Sequence, residues 1–274
     1  MSQLIDNLNI IESVKTDIKS AIEAKGVDMT GVSFSGYASK IGEISGGGGW
    51  DQKSITEGNI EIINLDNSAS FVANYAFYNN SYIQTVNLSY ATTVRISAFY
   101  GCISLSQVSL PMCSSIGANA FYYCISLSQV SLPMCSYISN NAFQYCSSLS
   151  QVSLPMCSSI GANAFEDCRS LSQVSLPMCS SIGGNAFEDC RSLSQVSLPM
   201  CRYIGANVFR NCSSLSIITI GYSGVCSLNS SNAFSNAQIT SSTGSIYVPT
   251  SLVDSYKSAK NWSYFSTQIF PISE

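Results

Sequence analysis

The chain has 274 residues, of which 10% are charged and 46% apolar, with a net charge of −4 and a pI near 4.8. So much apolar material excludes a disordered polypeptide. The acidic balance argues against a nucleic-acid partner, since positions 67–253 hold five Arg and no Lys. With no histidine, the commonest general base, the Ser-His and Cys-His nucleophile pairs and most catalytic zinc sites are gone. Only a carboxylate or lysine enzyme survives on composition.

The N-terminus, MSQLIDNLNIIESVKTDIKS, has no basic segment followed by an apolar one, so no secretory signal is expected. No stretch approaches roughly 18 apolar residues, so no membrane insertion is expected either. Residues 3–25 read as an amphipathic helix. Leu4, Leu8, Ile11, Ile18 and Ile22 share one stripe, widened by Val14 and Ala21 and interrupted by Lys15. A turn leads to a second short helix near Ser35–Ile44, then to the flexible linker SGGGG at 45–49. Trp50 opens the next module, and residues 50–66 make an opening strand or N-terminal cap. A module as small as 1–44 has little core of its own. Its stripe is either a two-helix mini-core or a seam for attachment and homo-oligomerisation.

From residue 67 the text repeats. Phe77, Phe99, Phe121, Phe143, Phe165, Phe187 and Phe209 stand 22 residues apart, and Phe234 follows after a three-residue insertion. Cys102, Cys124, Cys146, Cys168, Cys190 and Cys212 form one cysteine column; Cys113, Cys135, Cys157, Cys179 and Cys201 form a second, and Cys226 stands outside both. Leu, Val and Ile columns keep the same period. The unit is AFxxCxSLSQVSLPMCSSIGAN. Within it S-Q-V-S-L alternates polar and apolar residues, a half-buried strand that the following Pro ends. The Gly or Asn before A-F suits a tight turn. One unit cannot bury its apolar face alone, so units stack into a continuous core at the inter-strand spacing. The cysteine columns read as stacked apolar core. Disulfides between coils, which need an oxidising compartment, are the alternative; zinc lacks a CxxC pair or a histidine.

The motif L-x-x-V-x-L-P followed by I-G-x-x-A-F-x-x-C, as in LSQVSLPMCSSIGANAFEDC at 149–168, resembles the BspA-like leucine-rich repeat family over residues 67–272. The C-terminal text SIYVPTSLVDSYKSAKNWSYFSTQIFPI at 245–272 resembles that family's terminal element: a strand, a Pro, a short helix and an apolar tail. Tyr256, Trp262, Tyr264 and Phe265 are expected to cover the last coil. The resemblance implies a β-solenoid of leucine-rich-repeat type, with parallel strands, repeats over 67–244 and a C-terminal cap at 245–274. It also implies binding rather than catalysis, as in bacterial surface adhesins, with no cofactor and no catalytic residues to carry over. Separately, residues 18–44 resemble N-terminal segments of phage and prophage virion proteins from gut bacteria. That implies a virion fibre or appendage that joins other virion proteins, or itself, through 1–44 and binds a host surface glycan or protein through the repeats. A bacterial cell-surface adhesin and an intracellular protein-binding scaffold are the alternatives.

In near-identical repeats, the differing positions are the informative ones. They gather after each Phe and after the first Cys: Tyr100, Tyr122, Tyr123 and Tyr145 towards the N-terminal end, then Glu166, Asp167, Arg169, Glu188, Asp189, Arg191 and Arg210. These residues line one edge, either a recognition surface rich in tyrosine or a solvated turn. The outward Gln107–Gln195 column with its neighbouring serines is the competing site. Glu166 and Glu188 invite a glycosidase reading of paired carboxylates. Their place in repeated text, with Arg169 and Arg191 nearby, points instead to charge pairing across coils.

Overall fold

The computed structural model describes residues 62–65 and 70–272. The helices and linker expected within 1–49 lie outside these residues. The described chain winds as a solenoid with two parallel sheets. The longer runs β1 (Ile62–Leu65), β3 (Thr85–Leu88), β5 (Gln107–Ser109), β7 (Gln129–Ser131), β9 (Gln151–Ser153), β11 (Gln173–Ser175), β13 (Gln195–Leu198), β15 (Ile217–Ile220), β17 (Ser245–Val248) and β18 (Ile269–Pro271). The strands numbered between them, from β2 (Phe71–Val72) to β16 (Ser227–Leu228), make a second sheet of eight strands. Each coil thus contributes one strand to each sheet.

Register follows the repeat. Gln129 pairs with Gln151, Val130 with Val152 and Ser131 with Ser153. Identical residues therefore stack on identical residues, and an apolar column in the text becomes an apolar column in space. Phe99 through Phe234 are fully buried, with the first-column cysteines and the Leu and Ile columns beside them. The valines are less uniform, because Val130 and Val174 are only half-buried. The second sheet was not expected from the sequence. Its strands, such as Ser115–Ile116, are two residues long, too short for alternation to be visible.

The return segment from the second sheet to the first uses a third ladder. Two columns of left-handed residues bracket the phenylalanines from Phe77 to Phe209, for example Asn119 at φ 56° and Tyr123 at φ 61° around Phe121. This conformation turns alternate backbone N–H groups along the rod. Asn119, Phe121 and Tyr123 donate to the carbonyls of Asn140, Ala142 and Gln144 in the next coil at 3.1, 2.8 and 2.9 Å. The backbone of a tight turn is thereby satisfied without water. Of the two residue types expected at the turn before A-F, Asn holds the left-handed position, and its side chains form a ladder of their own. Asn141 Nδ2 donates to Asn119 Oδ1, Asn163 to Asn141 and Asn185 to Asn163, at 2.9–3.0 Å.

All twelve cysteines are buried free thiols. The first column has a defined bond: each Sγ donates to the phenylalanine carbonyl one coil back, as Cys146 does to Phe121 at 3.1 Å. Cys226 corrects the sequence reading. It is not an outlier but continues the second column, its Sγ 3.9 Å from that of Cys201. The three-residue insertion falls just before it and moves it off the period.

Beyond β17 and Pro249, the helix α1 (Val253–Ser258) leads to a 3-10 turn at Trp262–Phe265 and then to β18. Trp262 and Tyr256 are fully buried, and Phe265 nearly so. Trp262 Nε1 donates to the Cys226 carbonyl at 2.6 Å, and the Tyr256 hydroxyl accepts from the Cys226 N–H at 2.8 Å. Tyr264 does not join them, being 74% exposed. Pro271 on the outer strand lacks an N–H and blunts the sheet's last edge.

Candidate functional site

The varied positions form two adjacent columns on the return segment. One follows each phenylalanine directly: Tyr78, Tyr100, Tyr122, Gln144, Glu166, Glu188 and Arg210. The other is the second left-handed column: Asn79, Gly101, Tyr123, Tyr145, Asp167, Asp189, Asn211 and Asn236. Because the solenoid keeps register, the sequence-expected site residues come together along one edge, as two chemically different patches.

The N-terminal patch is aromatic. Tyr78 and Tyr100 stack at 4.7 Å with planes 13° apart, and Tyr100 and Tyr122 at 4.7 Å and 8°. Tyr145 meets Tyr122 edge-on at 5.4 Å, and Tyr123 at 6.3 Å. The ring faces of Tyr78, Tyr100 and Tyr122 are thus turned on one another, whereas Tyr123 lies outside this stack and is 48% exposed. Burial raises the hydroxyls of Tyr78 and Tyr122 above the ordinary phenol value, with neighbouring phenols adding to it. Beside the stack lies an open cleft of about 510 Å³, lined by Asn79, Ser81, Tyr100, Gly101, Ile103, Tyr122 and Tyr123. The sequence reading missed Tyr78, although it stands one period before Tyr100. It also missed Asn79 and Ser81, which stand one period before Gly101 and Ile103.

The C-terminal patch is charged. Gln144 Nε2 donates to Glu166 Oε2 at 2.9 Å. One coil on, Glu188 Oε1 lies 3.1 Å from Arg210 Nε. Burial raises Glu166 to about 7, helped by repulsion from Glu188, Asp167 and Asp189. Burial also raises Glu188, against the pull of Arg210. At Asp189 burial pushes upward too, but hydrogen bonds from Asn211 and Arg191 outweigh it and leave the group lowered. The expected pairing across coils holds only for Arg210. Arg169 and Arg191 instead pair within their own coils, with Asp167 and Asp189, each at 2.8 Å. Two residues of separation in a tight turn bring these groups closer than the next coil does.

The competing face is a groove of about 700 Å³ on the longer sheet, lined by Gln129, Gln151, Gln173, Gln195, their serine neighbours and the half-buried valines. Its composition barely changes from coil to coil, whereas the edge passes from tyrosines to charged residues along the rod, with only the Glu166 and Glu188 coils alike. Among the described residues, no group of three or more acidic or cysteine side chains is arranged to hold a metal ion.

Known proteins share this architecture. A leucine-rich cell surface protein from Faecalibacterium prausnitzii matches at 27% identity and a TM-score of 0.54, covering 60% of this chain and 48% of that one. A leucine-rich repeat protein of Treponema pallidum (T. pallidum) matches at 31% identity and a TM-score of 0.50, covering 56% of this chain and 76% of that one. A leucine-rich repeat protein from Eubacterium ventriosum shares the fold at 22% identity and a TM-score of 0.51, covering 66% of this chain and 44% of that one. The chain therefore spans about half the length of the first and third. No curated protein matches it. The profile described as "BspA type Leucine rich repeat region (6 copies)" matches residues 52–156 and 136–259. With three quarters of its length matched and the columns of that repeat stacked coil on coil, the chain belongs to the BspA-type leucine-rich repeat family.

Proposed function

We propose that the chain is a non-enzymatic binding module whose tyrosine edge engages a glycan or protein on a cell surface. One observation carries the reading. Tyr123 and Tyr145 occupy left-handed backbone at φ 61° and 64°, where the rest of the column has Asn, Gly or Asp. A bulky side chain there costs on the order of 1 kcal/mol. A turn free of other demands would carry Asn, as Asn211 does. Tyr123, half-exposed and outside the parallel stack, offers its ring to the ligand beside the cleft.

The test replaces Tyr123 and Tyr145 together by Asn, which suits the backbone, in a screen against glycan arrays and whole bacterial cells. Affinity for the ligand found should fall at least about tenfold, while the melting temperature holds within what ~1 kcal/mol would move. Unchanged binding would overturn the reading.

Placement in a virion, as a host-attachment appendage, is supported by the resemblance of residues 18–44 alone. The family match begins after that segment. Assembly through Leu4, Leu8, Ile11, Ile18 and Ile22 rests on their stripe, which lies outside the described residues. Sedimentation of the full chain and of a chain lacking 1–49 tests it, since a full chain that sediments as a monomer would remove the seam.

A further inference from the structure

A column unrelated to the tyrosine edge runs along the corner between the two sheets. Met112, Met134, Met156, Met178 and Met200 each follow the strand-ending proline, and each is 41–52% exposed. Tyr90 holds the same place one coil before them, 49% exposed. Tyr222 holds it one coil after, under the Arg202 guanidinium at 4.9 Å. Packing gives no reason for methionine here, because the position faces solvent. A lysine or serine would serve a soluble turn better.

Methionine and cysteine are the two side chains that common oxidants attack most readily, and among the described residues the fold separates them, methionines exposed and cysteines buried. Every cysteine is buried. Burial pushes the Cys102, Cys135 and Cys179 thiols up to about 12, and those of Cys124, Cys168 and Cys190 well above the ordinary value. Such groups remain thiols at neutral pH and offer neither thiolate nor access; Cys201, lowered by its hydrogen bond with Cys226, is fully buried and lacks access. The thioethers need no deprotonation to react, and they stand outside.

We infer that the methionine column is an oxidation site for hypohalous acids, converting a continuous apolar stripe into a row of sulfoxides while the cysteine core stays reduced. In each event one oxygen atom passes from hypochlorous acid to Sδ. Sulfur is oxidised by two electrons, chlorine is reduced to chloride, and a proton is released. A sulfoxide is strongly polar, so successive coils change the stripe stepwise, and a thiol-dependent sulfoxide reduction is the class of reaction that would restore it.

The experiment titrates the full-length protein with hypochlorous acid at neutral pH, maps oxygen uptake by peptide mass spectrometry and counts thiols by alkylation after denaturation. The five methionines should each gain one oxygen before any thiol is lost. Retention on a hydrophobic-interaction column should then fall, with circular dichroism unchanged. Thiol loss at or below the dose that oxidises the column would overturn the proposal. So would unmodified column methionines in a tube where added free methionine is consumed. A variant with all five replaced by Leu keeps the apolar shape and leaves only Met1 and Met29 to oxidise, so its retention should respond far less to oxidant. An equal response would show that the stripe is not the responding surface.

Discussion

At the scale of single residues, the stacked columns make each side chain answer to its own copy one coil away. Glu166 is the sharpest case, because its copy is Glu188 and both are carboxylates. Its folded value of about 7 lies above that of an unfolded glutamate. Between the two values the folded state binds more protons than the unfolded one, so stability falls as pH rises through that window. Glu188, also raised, acts in the same direction. Asp189, lowered, acts oppositely, and its contribution is lost only under more acidic conditions. The melting temperature should therefore decline from pH 5 to pH 7.5. Glu166→Gln, which extends the amide already present at Gln144, should flatten that decline; an unaltered slope would place its cause elsewhere. Asn163 makes a second prediction. It is left-handed at φ 56° and both donates and accepts in the asparagine ladder. Asn163→Ala should cost about 2 kcal/mol in chemical denaturation, from backbone strain plus lost hydrogen bonds.

At the scale of elements, the phenylalanine stack and the C-terminal segment hold the rod. Neighbouring rings from Phe77 to Phe234 lie 5.0–5.7 Å apart and within 11° of parallel. Phe165→Ala removes a ring from the middle and should cost ~3–5 kcal/mol. Trp262→Ala should cost a similar amount but show itself locally, by proteolysis beginning after Pro249, since Trp262 ties that segment to Cys226 and Phe234. These elements were unequally legible in the text. The Phe and cysteine columns were plain, because identical residues must stack when the register equals the period. The second sheet was hidden by the shortness of its strands, and the place of Cys226 by three inserted residues. The left-handed column under the candidate site was hidden for another reason: turns accept Asn, Asp, Gly and Tyr alike when something else compensates. Its varied positions could be read off, but the stacked ring faces and the charge pairing within coils could not.

At the scale of the molecule, stability is a sum over coils and their interfaces, not the property of one closed core. Removing residues 151–172 joins Ser150 to Gln173, the residue that already follows Ser172 in the same register. The shortened chain should fold. Its urea transition should move to lower concentration with a proportionately smaller m value, because one coil's surface is no longer buried. Failure to fold, or an unchanged midpoint, would refute additive stacking.

The in-register pairing of neighbouring coils gives the edge a property that a globular binding surface lacks. Distance along it is counted in whole coils, each about 4.8 Å. The aromatic patch and the acidic patch therefore each span a whole number of steps, like lengths marked on a ruler, and meet between Tyr145 and Glu166. Duplication or loss of one unit, easy between near-identical stretches of coding sequence, would lengthen or shorten one patch by a single graduation and leave the other intact. A lineage bearing such a rod can retune the length of ligand it accepts without redesigning the contacts that remain.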